Sequence, residues 1–323
     1  MVKRLLFICI GLLPCLELLA QYAPAVGQPG STAMWKDSSL FVGWANEAQL
    51  IRGLRCVSMP DSGYADVGDE QSALGKAGEN GVVSLGDSGI ITLSFQQPII
   101  NGPDYDFAVF ENSFLDNFLE LAFVEVSSNG EDFFRFPAHS LTQDSLQVSA
   151  FDLIEPVWIN GLAGKYRALW GTPFDLDDVP DNPILNKQSI THIRLIDVVG
   201  SIDSLYATFD TAGNKINDPW PTPFPSSGFD LDAVGVIHAL TGINESGQNG
   251  QWIYPNPVRN RLFFNYKDFY PPYAIHHPDG RFVLRTQTVD SFIDLSCLPS
   301  GIYIFSCFSR EHELIRIKFV KEQ

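Results

Sequence analysis

Apolar and polar residues along this chain change over in short bursts rather than in the longer rhythm of amphipathic helices. Residues 89–95 (GIITLSF), 190–199 (ITHIRLIDVV) and 228–240 (GFDLDAVGVIHAL) read as strands. Between residues 104 and 136, Phe107 to Phe110 and Leu121 to Val126 are apolar on both alternating sets. Such strands belong in the middle of a layered structure, covered on both sides. Ser127-Ser128-Asn129-Gly130 supplies a turn before Phe133, Phe134 and Phe136 resume the pattern. Residues 141–190 and 203–227 lose the alternation and read as long surface excursions, the kind of loop that often carries function. After residue 252 the bursts shorten, with strands expected at 261–266, 281–286, 291–295, 301–308 and 314–320. The expectation is an all-β protein: a jelly-roll-like β-sandwich over residues 21–243, a linker at 244–251 (NESGQNGQ), and a small immunoglobulin-like β-sandwich over 252–323.

Charge sharpens the division. The formal net charge is -17, but residues 21–251 carry a net -20 and residues 252–323 a net +2. Phosphate backbones need clustered Lys and Arg, so this acidic body is not a nucleic-acid binder; cations are its natural partners. Residues 1–20 place Lys3 and Arg4 before an apolar run ending near Ala20, the pattern of a secretory signal peptide. Leu12-Leu13-Pro14-Cys15 offers a second reading as a lipid-attachment site, although Pro14 stands where a small residue is usual. No later stretch has about 18 unbroken apolar residues, so no transmembrane segment is expected. Cys56, Cys297 and Cys307 are an odd set for an exported protein and read as core residues, not a disulfide framework.

The loop Asp210 to Asp218 (DTAGNKIND) places oxygen donors at short intervals, as calcium requires, with Asp210, Asn214 and Asp218 as candidate ligands. The competing reading is a turn in which Asp and Asn bond their own backbone. Asp230 and Asp232, two apart on a strand, and Glu111 are further metal candidates, if their strands are neighbours. Trp158, Tyr166, Trp170, Trp220 and Phe224 lie on the two excursions, where aromatics stack on sugar faces or plug the ends of a core. Catalytic signals are thin. Gly86-Asp87-Ser88-Gly89 has no histidine context, and there is no His-Glu-x-x-His, Cys-x-x-Cys or phosphate loop.

Five words near the end occur in a telling order: Tyr254-Pro255-Asn256-Pro257, Asp279-Gly280-Arg281, Ile293-Asp294-Leu295-Ser296, Gly301-Ile302-Tyr303 and Ile317 to Lys321. Together they resemble the type A C-terminal sorting domain of Bacteroidetes proteins exported by type IX secretion. That resemblance implies recognition by the type IX machinery, passage to the cell surface or medium, and removal of the domain. Phe110-Glu111-Asn112, Val126 to Gly130, Gly161 to Gly164, Phe174-Asp175-Leu176, Asp210 to Asn214 and Gly228 to Val234 resemble a family of uncharacterised bacterial cell-surface modules. The expectation is a secreted, calcium-stabilised, carbohydrate-binding surface module taking a glycan or other small nutrient. A polysaccharide hydrolase and a structural or adhesive protein are the alternatives.

Overall fold

A computed structural model describes residues 22–240, 253–264, 270–278, 281–286, 292–308 and 314–323. The expected signal peptide at 1–20 and the expected linker at 244–251 lie outside the described residues. Contacts divide the chain into two units, residues 1–240 and 241–323.

The first unit holds β1 (Glu47–Ile51), β2 (Ile90–Ile99), β3 (Phe107–Glu111), β4 (Ala122–Ser127), β5 (Trp170–Phe174), β6 (Ile190–Asp197) and β7 (Asp230–Val236). One sheet runs β5-β3-β7, extended by the short strands Met34–Trp35, Gly43–Trp44 and Val83–Ser84. The other runs β4-β6-β2-β1, with Leu162–Ala163 and Phe134–Arg135 added beside β4. All of these pairings are antiparallel. Phe107, Val109, Leu231 and Val234 from the first sheet meet Ile91, Leu93, Val124, Val126, Ile193 and Leu195 from the second in one buried core. Each such side chain contributes roughly 1.5–3 kcal/mol by leaving water.

The two-faced strands are buried along their whole length, and the outer faces explain why. Phe110, Ala108 and Ala233 turn away from the main core and are roofed by Met34, Phe41 and Trp44. Phe41 sits 5.1 Å from Trp44 and 5.6 Å from Phe110 between ring centroids. Outside the other sheet, Phe123 and Leu121 pack with Val148, Ile154, Ile159 and Ile216 from the two excursions.

The first excursion is not all loop: it contains β5, a full partner of β3 with Thr172 opposite Val109. Gly171 and Pro173 hide this strand from a reading by alternation. The glycine is required, because a Cβ there would lie 2.9 Å from both Ala108 Cβ and the Phe110 ring.

The second unit comprises β8 (Arg261–Phe264), β9 (Tyr270–His276), β10 (Phe282–Thr286), β11 (Phe292–Asp294), β12 (Gly301–Phe308) and β13 (Leu314–Lys321). Ile253–Tyr254, β8 and β11 form one sheet, and β10-β9-β12-β13 the other. Leu262, Phe264, Ile275, Ile293, Phe305 and Phe319 are buried together. The Pro271-Pro272 pair, which reads as a turn, instead begins β9. Among the described residues there is no α-helix, and none is long and apolar enough to cross a membrane. Cys56 and Cys307 are buried, Cys297 is exposed, and all three are free.

Candidate metal centre

The antiparallel registers bring acidic chain ends to one end of the first unit. β3 finishes at Glu111, opposite Leu231 near the start of β7. β6 finishes at Asp197, opposite Ala122, so Glu120 and Leu121 arrive beside it. The turn carrying Asp87 precedes β2, whose Ile90 pairs with Ile196. Asp218, from the second excursion, reaches the same place by accepting the Leu121 N–H at 2.9 Å.

Burial raises the carboxyls of Glu111, Glu120, Asp197 and Asp218 well above their ordinary range, and neighbouring acids add to this. Glu120 feels Asp230, Glu111, Asp218 and Asp197 together, which places it among them. It retains some solvent exposure. Asp230 is pushed up to about 6, mainly by burial. No Lys or Arg among the described residues forms an ion pair with any of these side chains. When ionised, these carboxylates have no protein cation to balance them, which is why burial favours their neutral form.

Backbone amides hold several of the acids. Asp197 accepts Phe229 N–H at 2.7 Å through Oδ1 and Ser88 N–H at 2.9 Å through Oδ2. Asp87 accepts Val57 N–H at 2.8 Å and Trp220 Nε1–H at 3.1 Å, both through Oδ2. Glu111 Oε2 accepts Ser113 N–H at 2.9 Å, and Ser84 Oγ donates to Asp230 Oδ1. The other oxygens of Glu111 and Asp218, Oε1 and Oδ1, are buried with no hydrogen-bond partner. An orphaned acceptor in such a place costs about 1–3 kcal/mol, more when charged. The donor set is all oxygen, the kind a hard cation takes. Among the described residues no group of three or more His, Cys, Asp or Glu side chains stands close enough together to hold a metal ion. The arrangement is a buried acidic cluster, held by its backbone bonds.

The sequence-based candidates distribute unevenly over this geometry. Glu111, Asp218 and Asp230 are in the acidic cluster. Asp210 and Asn214 are not: Asp210 accepts Ala212 N–H, Asn214 N–H, Asn214 Nδ2–H and Ser140 N–H. All of its oxygens are spent on its own turn and on the Ser140 backbone, the alternative that competes with ligation in such loops. Asp232 falls at a register shift between Leu231 and Ala233 and accepts Gly78 N–H through both oxygens at 2.9 Å. The bulge sends it away from Asp230. Asp87, Glu120 and Asp197 were missed by sequence reasoning, since each reads as a turn or a strand end; only the pairing of β2, β4 and β6 reveals them.

The five aromatics make no common surface. Tyr166 is buried, its hydroxyl 2.8 Å from Thr32 Oγ1. Trp158 packs against the apolar layer outside the second sheet, and Trp170 lies 5.1 Å from Trp35 at the sheet margin. Trp220 is tied to Asp87, and Phe224 stacks on exposed Phe151 at 5.7 Å. Of the five, Trp220 alone bonds to an acid of the cluster, Asp87.

The fold and the site thus define a two-unit β protein with an acidic loop end on its first unit. Residues 252–322 match the secretion system C-terminal sorting domain family. The second unit is that domain, of the type IX class, so the chain is an exported protein of the cell surface or extracellular space that engages the secretion machinery. A search of curated proteins returns no match. Among solved structures, a similarity is found to PorZ, an essential bacterial surface component of the type-IX secretion system of Porphyromonas gingivalis. It has 17% identity and a TM-score of 0.19, covering 28% of this chain and 14% of that one.

Proposed function

We propose that the first unit is a surface-displayed, non-catalytic binding module whose loop end is organised by calcium, held by Glu111, Glu120, Asp218 and Asp230. The observation that carries this reading is the pair of buried, unpartnered oxygens, Glu111 Oε1 and Asp218 Oδ1, in an acidic cluster with which no Lys or Arg among the described residues forms an ion pair. Calcium takes six to eight oxygens, and the part-exposed Glu120 leaves room for water or ligand oxygens in the shell. A glycan or other hydroxyl-rich nutrient is the partner such an end suits, with Trp220, bonded to Asp87, offering an apolar face near the hydroxyl-coordinating ion.

Isothermal titration of the full chain with calcium tests the metal, and a glycan array with and without chelator tests the ligand. Calcium binding that is lost in Asp218→Asn supports the reading. No calcium heat at millimolar concentration overturns it. A hydrolase reading draws on the same raised carboxyls, since a buried protonated acid is what glycosidic general acid catalysis uses. Turnover of an array-positive glycan, abolished by Glu120→Gln without loss of binding, would favour the enzyme instead.

A further inference from the structure

A cavity sharing no residue with the acidic cluster lies where the N-terminal segment crosses β5. It encloses about 290 Å³, and its lining includes Thr32, Tyr105, His139, Asn160, Lys165 and Asp178. Lys165 is the unusual member. It is 4% exposed, and among the described residues its ammonium makes one hydrogen bond, from Nζ to the Ile159 carbonyl at 2.7 Å, and no ion pair. The Tyr166 ring lies beneath it at 5.8 Å, near the outer limit of a useful cation–π contact. Burial holds its pKa down to about 8. Lysines are almost never buried unless paired, because two unfilled donors and an unbalanced charge are costly away from water.

We propose that this cavity is a binding site for a small hydroxylated monocarboxylate, a hexuronic acid being the type, with the Lys165 ammonium as partner of the carboxylate. One lysine lines the cavity with no arginine fork, so a single carboxylate has one charged partner, and Asp178, also in the lining, disfavours a second anionic group. Thr32, Tyr105 and Asn160 provide hydroxyl and amide groups suited to ring hydroxyls. The volume falls at the lower edge of the roughly 300–1,000 Å³ usual for small-molecule pockets, which suits a monosaccharide and not a chain. The proposal stands without the calcium reading.

Titration calorimetry of the full chain with glucuronate and with glucose, both in chelator, is the test. Glucuronate is expected to bind one to one, with glucose weaker by about thirtyfold or more, the usual consequence of leaving a buried charge unpaired. Lys165→Met, which keeps the apolar stem and removes an unpaired buried charge, should fold and lose glucuronate binding. Asn160→Ala, at an exposed rim position, should weaken it. Independently of any variant, glucuronate but not glucose should protect Lys165 from reductive methylation read by mass spectrometry. The proposal is overturned if glucuronate neither binds nor protects Lys165, or if Lys165→Met binds it as well as the unaltered chain.

Discussion

Asp210 and Asp218 stand on one short loop and face opposite tasks. Asp210 satisfies both carboxylate oxygens with its own turn and the Ser140 N–H, whereas Asp218 keeps one oxygen on Leu121 N–H and leaves the other buried and unpaired. The first is an acid that organises backbone. The second is an acid in need of a partner.

Exchanging them separates structure from ligation. Asp210→Ala removes four accepted hydrogen bonds and should cost about 2–3 kcal/mol in urea unfolding, with calcium affinity unchanged. Asp218→Asn should leave metal-free stability level or higher and abolish calcium binding. Equal effects of the two variants on calcium would contradict the assignment.

Calcium itself should be visible in the melting curve. At a free concentration about 100 times the dissociation constant, binding adds about 2.7 kcal/mol, or roughly 5–10 °C for a unit of this size. Scanning calorimetry with excess chelator should show that loss and its recovery on adding calcium. Unchanged melting would remove the metal.

The pH dependence has a definite sign. Asp230 is raised from 3.8 to about 6, and Glu111, Glu120, Asp197 and Asp218 are raised as well. For an acid whose folded pKa exceeds its unfolded value, the favourable contribution is complete below the unfolded pKa and is lost as pH rises through the folded one. Metal-free protein should therefore lose stability between pH 4 and pH 7, by about 3 kcal/mol from Asp230 alone. Calcium, which needs the ionised carboxylates, should flatten that slope. Denaturant melts at four pH values, with and without calcium, read both trends.

Gly171 offers a test of the scaffold. Gly171→Ala drives a methyl into Ala108 and Phe110 at 2.9 Å, and overpacking of this kind costs about 1–3 kcal/mol. Equilibrium unfolding should show that cost, with calcium binding by the surviving folded fraction intact.

The aromatics separate the same way. Tyr166→Phe loses the hydroxyl contact to Thr32 and should cost about 1 kcal/mol, with no effect on array-selected ligands. Phe224→Ala, at a 39% exposed position, should leave the melting temperature nearly unchanged and weaken glycan binding. A ligand insensitive to Phe224 would place recognition elsewhere.

Much of the architecture was legible because alternation and two-sided apolar runs report burial directly, as β2, β3, β4, β6 and β7 illustrate. β5 and β9 were not, since Gly171 and Pro173 in one, and Pro271-Pro272 in the other, are turn-forming residues fitted to a close strand approach and a strand start. The site was legible in part. Glu111 and Asp218 are distinctive as acids beside asparagine, and Asp230 as an acid within an apolar strand run. Glu120 and Asp197 gain their meaning only from registers that join residues tens of positions apart, which no local pattern carries. The reverse held for Glu125, an acid within a buried strand. It lies on the outer side of β4, engaged by Arg135 and Arg194, whose guanidinium groups cover the Phe123 and Phe133 rings at 4.1 and 3.8 Å.

The roofs over the sandwich have a consequence for life on a crowded surface. With Phe41 and Trp44 over one sheet and the excursions over the other, neither central β3 nor β4 offers a bare face to neighbouring molecules. Lateral sticking through sheet faces is suppressed by the chain's own loops. Sequence drift is thereby channelled to the loop end, where changes do not expose what holds the module together.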